Sequence, residues 1–288
     1  MNKWIRIFTY IHVHPLLWVM IFLSVITANF IPLCMLMVII LFHELGHAAV
    51  AVHFSWRIKK ISLLPFGGVA EMDEHGNRPF KEELFVILAG PLQHIWLIGL
   101  ACLLFINGMI PERYVHQFID FNIMILAVNL LPIWPLDGGK LLFLFFCKKA
   151  SFLSAHRLVL ILSSVNVVVI AAITVLYAPL HLNIWIVVIF LGFSLYLEWR
   201  QQYYVFLRFL LERHYGKKSS IRALKRIDAA EEERIIDVFA RFRRGVKHQI
   251  VINNSGKETG IIDENELLYA FFSQKTIDVK MVDFLSRY

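Results

Sequence analysis

Hydrophobic positions fall in long unbroken runs up to about residue 200, and short polar segments punctuate them. No Asp, Glu, Lys or Arg occurs from Ile7 through His43. That run exceeds the ~20 apolar residues a helix needs to cross a bilayer. Asn29 to Pro32 interrupts it, so two spans are expected, near 11–29 and 32–54. A third is expected over 83–106, with Ala89-Gly90-Pro91 as a kink or close packing point. After a polar connection over 107–117, a fourth runs from Phe118 to about Cys147. Asn129-Leu130-Leu131-Pro132-Ile133-Trp134-Pro135-Leu136-Asp137-Gly138-Gly139 breaks its middle, because two prolines and two glycines interrupt regular helix. Leu158 to Leu197 is free of charge and breaks at Tyr177 to Asn183, giving spans five and six.

Two segments follow a different pattern. Residues 57–72 alternate (Ile58, Ile61, Leu63) and end in Pro65-Phe66-Gly67-Gly68-Val69, which predicts a short strand pair with a glycine turn at the membrane edge. Beyond Arg213 the chain is charged and mixed. It predicts a helix over Glu231–Arg241, a strand over His248–Asn253, a turn over Asn254–Lys257, a strand at Gly260-Ile261-Ile262 and a helix over Glu264–Phe272. The expected fold is therefore an α-helical polytopic membrane protein with six spans, plus a small α/β domain. The expected boundaries are 1–205, a linker over 206–220, and 221–288.

Composition agrees with this class: 58% of residues are hydrophobic and 18% charged, against about 25% charged in soluble domains. The net charge of +7 comes from basic residues that flank spans and fill the tail, so nucleic acid is not an expected partner. Arg57, Lys59, Lys60, Arg78, Lys81, Lys148, Lys149 and Arg157 fall in connections on one side, and the other side contributes only Arg113. That asymmetry places both termini in the cytoplasm. Cys34, Cys102 and Cys147 lack metal-type spacing and read as packing residues. The first apolar run has no A-x-A-like end and leads into a second span, so it reads as a retained helix rather than a signal peptide.

Chemistry enters with His43-Glu44-Leu45-Gly46-His47 at the inner part of span two. Ionisable groups at such depth are costly and point to function. Histidines four apart share one helical face and supply two ligands to zinc; a catalytic site needs a third ligand and an open position. Asp137 is the only acidic residue between Phe121 and the end of span four. His47 precedes Arg57 by ten residues and Asp137 precedes Lys148 by eleven. Both therefore lie on the order of 15 Å from the cytoplasmic edge. A zinc ion there would acidify water and polarise a carbonyl, with Glu44 as general base and then acid. Asn129 either hydrogen-bonds a substrate backbone or satisfies carbonyls freed by Pro132. Pro135 breaks the helix and shapes the site. Gly67 and Gly68 make a turn, or border a strand edge that pairs with an extended peptide. His53, His94 and His116 read as packing or interfacial residues. The rival readings are an ATP-sensing transporter, whose intramembrane His and acidic residues would relay ions, and an inactive peptide-binding receptor with a structural metal.

His43 to His47 together with Asn129 to Gly138, reading NLLPIWPLDG, resembles the paired motifs of the site-2 protease family of intramembrane zinc metalloproteases. The resemblance covers roughly residues 10–150 and implies one zinc per chain on His43, His47 and Asp137. The tail resembles a single cystathionine-β-synthase (CBS) domain through Gly260-Ile261-Ile262-Asp263-Glu264-Asn265-Glu266-Leu267-Leu268. Asp263 stands where that family has Thr, and Glu266 where it has a ribose-binding Asp. ATP is the ligand this implies, and pairing of such domains implies a homo-oligomer. Family members with one such module and no PDZ domain between the motifs imply a membrane-associated pro-sigma factor as substrate, trimmed of its amino-terminal prosequence. They also imply membrane inhibitory proteins and a place in the membrane surrounding the forespore of a spore-forming bacterium.

Overall fold

The computed structural model describes residues 11–13, 15–64, 67–72, 78–215, 223–254, 257–273 and 280–282. A short strand β1 (Ile11–Val13) leads into helices α1 (Pro15–Ile26) and α2 (Phe30–His53). Strands β2 (Ile58–Leu64) and β3 (Gly67–Met72) follow, then α3 (Phe80–Ile106), α4 (Glu112–Asn129), α5 (Asp137–Phe146), α6 (Phe152–Tyr177) and α7 (Leu182–Tyr215). The tail holds β4 (Leu224–Ala230), α8 (Ile235–Phe239), β5 (Lys247–Asn254), β6 (Lys257–Asp263) and α9 (Glu264–Ser273).

The helices fall on the apolar runs, and span four is broken as its prolines require, with α4 ending at Asn129 and α5 starting at Asp137. Among the described residues, four helices, α2, α3, α6 and α7, are long and apolar enough to cross a membrane; the apolar helix Leu17–Ile26 is shorter. Trp18, Phe22, Val168, Leu176 and Phe193 are exposed on these helices, as suits side chains that face lipid.

The chain forms two compact units, one of residues 1–74, 81–141 and 163–194, the other of 75–80, 142–162 and 195–288. In the first, α2 packs against α1, α4, β2 and β3. Lipid tails are as apolar as leucine, so helices in a membrane associate through close packing of small residues rather than hydrophobic burial. Gly46 on α2 accordingly lies against the Ala89 carbonyl of α3. The predicted strand pair is present, antiparallel from Ile58↔Met72 to Leu64↔Gly67. Pro65 and Phe66 of its expected turn lie outside the described residues. A third strand was not expected: β1 adds to β2 in parallel, pairing Ile11↔Ile61 through Val13↔Leu63. It supplies partners to backbone groups of β2 that would otherwise lack them on that edge.

In the second unit, β5 is central, parallel to β4 and antiparallel to β6. Strand β4 was not expected because only Ile227 and Ala229 of LKRIDAA turn inward, too few apolar residues to register as alternation. The expected helix over Glu231–Arg241 contracts to α8, whose Ile235, Val238 and Phe239 enter the core. Helix α7 continues through residues 206–215, the first part of the expected linker, and Phe206, Phe209 and Leu210 pack into the same core as Ile250, Ile252 and Phe271.

One buried ion pair fastens α7 to the tail. The Arg213 guanidinium donates to both Glu264 oxygens and to the carbonyls of Arg243 and Val246. The backbone N–H of Arg243 donates to His248 Nε2 at 3.1 Å, so His248 donates from Nδ1 to Glu264, at 3.0 Å. Burial alone would push the Glu264 carboxyl up, but the His248 hydrogen bond and the Arg213 charge outweigh it and hold it below its ordinary value. The unfolded chain therefore binds the proton more readily. The stabilisation is present above the ordinary pKa of 4.5 and is lost as pH falls through the lower folded value. We expect the thermal midpoint of the tail to fall as the solution is acidified below about pH 5, and Glu264→Gln to flatten that dependence. Glu264→Ala, which leaves Arg213 buried without its carboxylate, is expected to cost about 3–5 kcal/mol by denaturant titration.

Candidate metal centre

The H-E-x-x-H segment lies within α2 with its helical register intact, so His43 and His47 face the same way. Asp137 is the first residue of α5 and emerges from the broken stretch after α4. The loop that delivers it is fixed from inside: Ile133 is fully buried, and the Trp134 N–H donates to Ser163 Oγ of α6 at 2.9 Å. Asp137 Oδ2 lies 3.1 Å from His43 Nε2 and 3.1 Å from His47 Nε2, and the two nitrogens are 3.1 Å apart. Ligand atoms around a tetrahedral ion at 2.0–2.1 Å stand roughly 3.3 Å apart, so the triangle has the size of three corners of such a site.

Hydrogen-bond accounting identifies what the triangle lacks. His47 Nδ1 is 2.7 Å from the Val86 carbonyl oxygen, which only accepts, so the neutral ring carries its hydrogen there and leaves Nε2 bare. Asp137 Oδ2 is buried and receives no hydrogen bond. Bare acceptors facing one another repel, and a cation between them removes the repulsion. His43, His47 and Asp137 could therefore hold a divalent ion. Two imidazoles and a carboxylate suit zinc. The other carboxylate oxygen, Oδ1, accepts from Lys140 Nζ at 3.0 Å, which leaves Oδ2 for the ion.

The surroundings are tight. A side chain at Gly90 of α3 would collide with the His47 ring and with His43 Cε1, and one at Gly68 of β3 would collide with the Glu44 carboxyl. Backbone thus approaches the two sites where only hydrogen fits. Glu44 is buried, with its carboxyl beside Gly68. His43, Glu44, His47, Asp137 and Gly68 are thus brought together, and Gly67 pairs with Leu64 at the start of β3. Asn129 ends α4 and donates to the Ile125 carbonyl at 3.1 Å. Pro135, half-buried, lies in the loop before Asp137 after a cis peptide bond. Asp263 and Glu266 sit in the tail, where they cap α9: Asp263 Oδ2 accepts from the Asn265 N–H, and Glu266 reaches back to the Asp263 N–H.

Sequence reasoning passed over three polar groups beside the centre. Lys140 is one, and a charge three residues after Asp137 within a predicted span was a sufficient signal. His94 and Asn122, both fully buried, are the others. His94, read as a packing or interfacial residue, lies against His43.

Several known proteins are similar to this chain. Residues 31–118 match the model of peptidase family M50. Stage IV sporulation protein FB of Bacillus subtilis is 47% identical over 288 residues, the whole of both chains. A zinc metalloprotease of Methanocaldococcus jannaschii is 37% identical over 131 residues, covering 43% of this chain and 37% of that protein. The solved structure of a site-2 protease from the same archaeon superposes with a TM-score of 0.53 at 28% identity, covering 65% of this chain and 89% of that one. The chain belongs to peptidase family M50, the site-2 proteases, and is an intramembrane zinc metalloprotease.

Proposed function

We propose that the centre on α2 and α5 is the active site and that it hydrolyses a peptide bond of a membrane-associated protein, trimming the amino-terminal prosequence of a sporulation pro-sigma factor. The observation that carries the site is the convergence of His43 Nε2, His47 Nε2 and Asp137 Oδ2, each 3.1 Å from the others. The substrate rests on similarity along the full chain to a stage IV sporulation protein. His43, His47 and Asp137 are the residues that hold zinc, which when bound acidifies water and polarises a carbonyl. The Glu44 carboxylate takes the proton of the attacking water and returns it to the leaving nitrogen. Gly67 and Gly68 open a strand beside Glu44, and an extended substrate segment can align along that edge. Asn129 and Pro135, which bracket the loop before Asp137, are the residues we assign to the substrate backbone.

The proposal extends to organisation. The catalytic domain comprises residues 1–205 with six spans and both termini in the cytoplasm, counting α1 and the broken α4–α5 pair as spans. The tail is a CBS-like regulatory domain with ATP as its ligand at Asp263 and Glu266, and it pairs between subunits. Membrane inhibitory proteins and the membrane around the forespore complete the setting.

Two measurements test the site. Glu44→Gln is expected to lower cleavage of a membrane-tethered pro-sigma substrate by at least about 100-fold, with bound zinc unchanged by atomic absorption. Undiminished turnover would remove Glu44 from the proton transfers. Gly90→Ala places a methyl group against the His47 ring and is expected to weaken zinc binding by about tenfold or more. Chelator competition reads the affinity, with circular dichroism as the check on fold.

A further inference from the structure

His94 and Asn122 are fully buried, although neither belongs to either motif of the family. Polar side chains are costly in a span unless their hydrogen bonds are met within the protein. Here they form a line that ends on a residue of the metal centre. Asn122 Nδ2 donates to the Phe118 carbonyl at 2.8 Å. That fixes the amide, so Oδ1 is the atom 3.0 Å from His94 Nδ1. An amide oxygen only accepts, so His94 carries its hydrogen on Nδ1 and offers a lone pair at Nε2. His94 Nε2 lies 3.1 Å from His43 Nδ1. His43 must then carry its hydrogen on Nδ1, which leaves Nε2 bare toward His47 Nε2 and Asp137 Oδ2.

The two histidines of the centre are held differently. His47 is fixed by the Val86 main-chain carbonyl, which no substitution removes. Among the described residues, the His43 ring nitrogens meet only side chains. We propose that Asn122 and His94 are positioning residues that hold His43 in the tautomer and ring orientation needed to ligate the metal. This rests on the reading of the His43–His47–Asp137 cluster as a metal centre. Outer partners of a ligating histidine act in this way, and their loss costs about 10–100-fold in metal affinity. Asn122→Leu keeps the side chain's size but removes the acceptor. His94 can then carry its hydrogen on Nε2, which forces the His43 hydrogen onto Nε2, inside the ligand triangle. Asn122→Asp keeps an oxygen facing His94 Nδ1.

The test uses full-length protein in detergent in the Glu44→Gln background, so that turnover plays no part. Cobalt(II) is the probe, read by its visible absorption and by chelator competition. Asn122→Leu and His94→Leu are expected to weaken binding about 10–100-fold, and Asn122→Asp to stay within a few-fold of the parent. Equal affinity in all four proteins would overturn the positioning role while leaving the metal centre intact. Absence of stoichiometric binding in the parent would instead overturn the metal centre itself. A second measurement needs no variant of the pair. Long-range proton–nitrogen NMR of histidine-labelled, zinc-loaded protein is expected to show hydrogen on Nδ1 of His43 and of His94, with the metal on Nε2 of His43. Metal on Nδ1 of His43, or hydrogen on Nε2 of His94, would overturn the proposal.

Discussion

Bare acceptor atoms do not gather without a cation. Two imidazole nitrogens and a carboxylate oxygen stand 3.1 Å apart, each with its lone pair inward. Every hydrogen that might have separated them is engaged elsewhere, at the Val86 carbonyl and at His94. In water such a cluster would be relieved by solvent. Among apolar helices the alternatives are a bound cation or a large electrostatic cost. The surrounding architecture follows from that requirement: Gly90 lets α3 approach the rings, Lys140 engages the outer oxygen of Asp137, and Ser163 anchors the loop that presents it.

The break in the fourth apolar run gains meaning in this light. A continuous helix from Phe118 to Cys147 would satisfy its own backbone and bury no chemistry. Interrupting it between Asn129 and Asp137 puts Asp137 at the start of a new helix, and the freed backbone finds partners in the loop and in Ser163. Irregular backbone at this depth is tolerated where protein encloses it.

Much of this was legible in the sequence because the membrane makes sequence patterns blunt. Charge-free runs located the helices, and the expense of placing His43, Glu44, His47 and Asp137 among them singled out the centre. Their nearly equal distance in sequence from the flanking basic residues puts His47 and Asp137 at one depth. What was not legible depends on three-dimensional partnership. Strand β1 is only three residues long and gains its identity from pairing with β2. Strand β4 presents one isoleucine and one alanine to the core, so its stability comes from β5 and not from its own pattern. His94 looked like one more packing histidine, because nothing in a linear sequence tells which ring nitrogen meets Asn122 and which meets His43. The extension of α7 into the tail core was masked by Arg208, Glu212 and Arg213, although Phe206, Phe209 and Leu210 carry the apolar stripe.

The central claim concerns which atoms hold the metal, and zinc X-ray absorption on the purified protein reads them directly. The account predicts one zinc per chain with nitrogen and oxygen neighbours at about 2.0–2.2 Å, imidazole scattering from two rings, and loss of an oxygen neighbour in Asp137→Ala. A sulfur neighbour at about 2.3 Å, or a spectrum unchanged by that substitution, would contradict it.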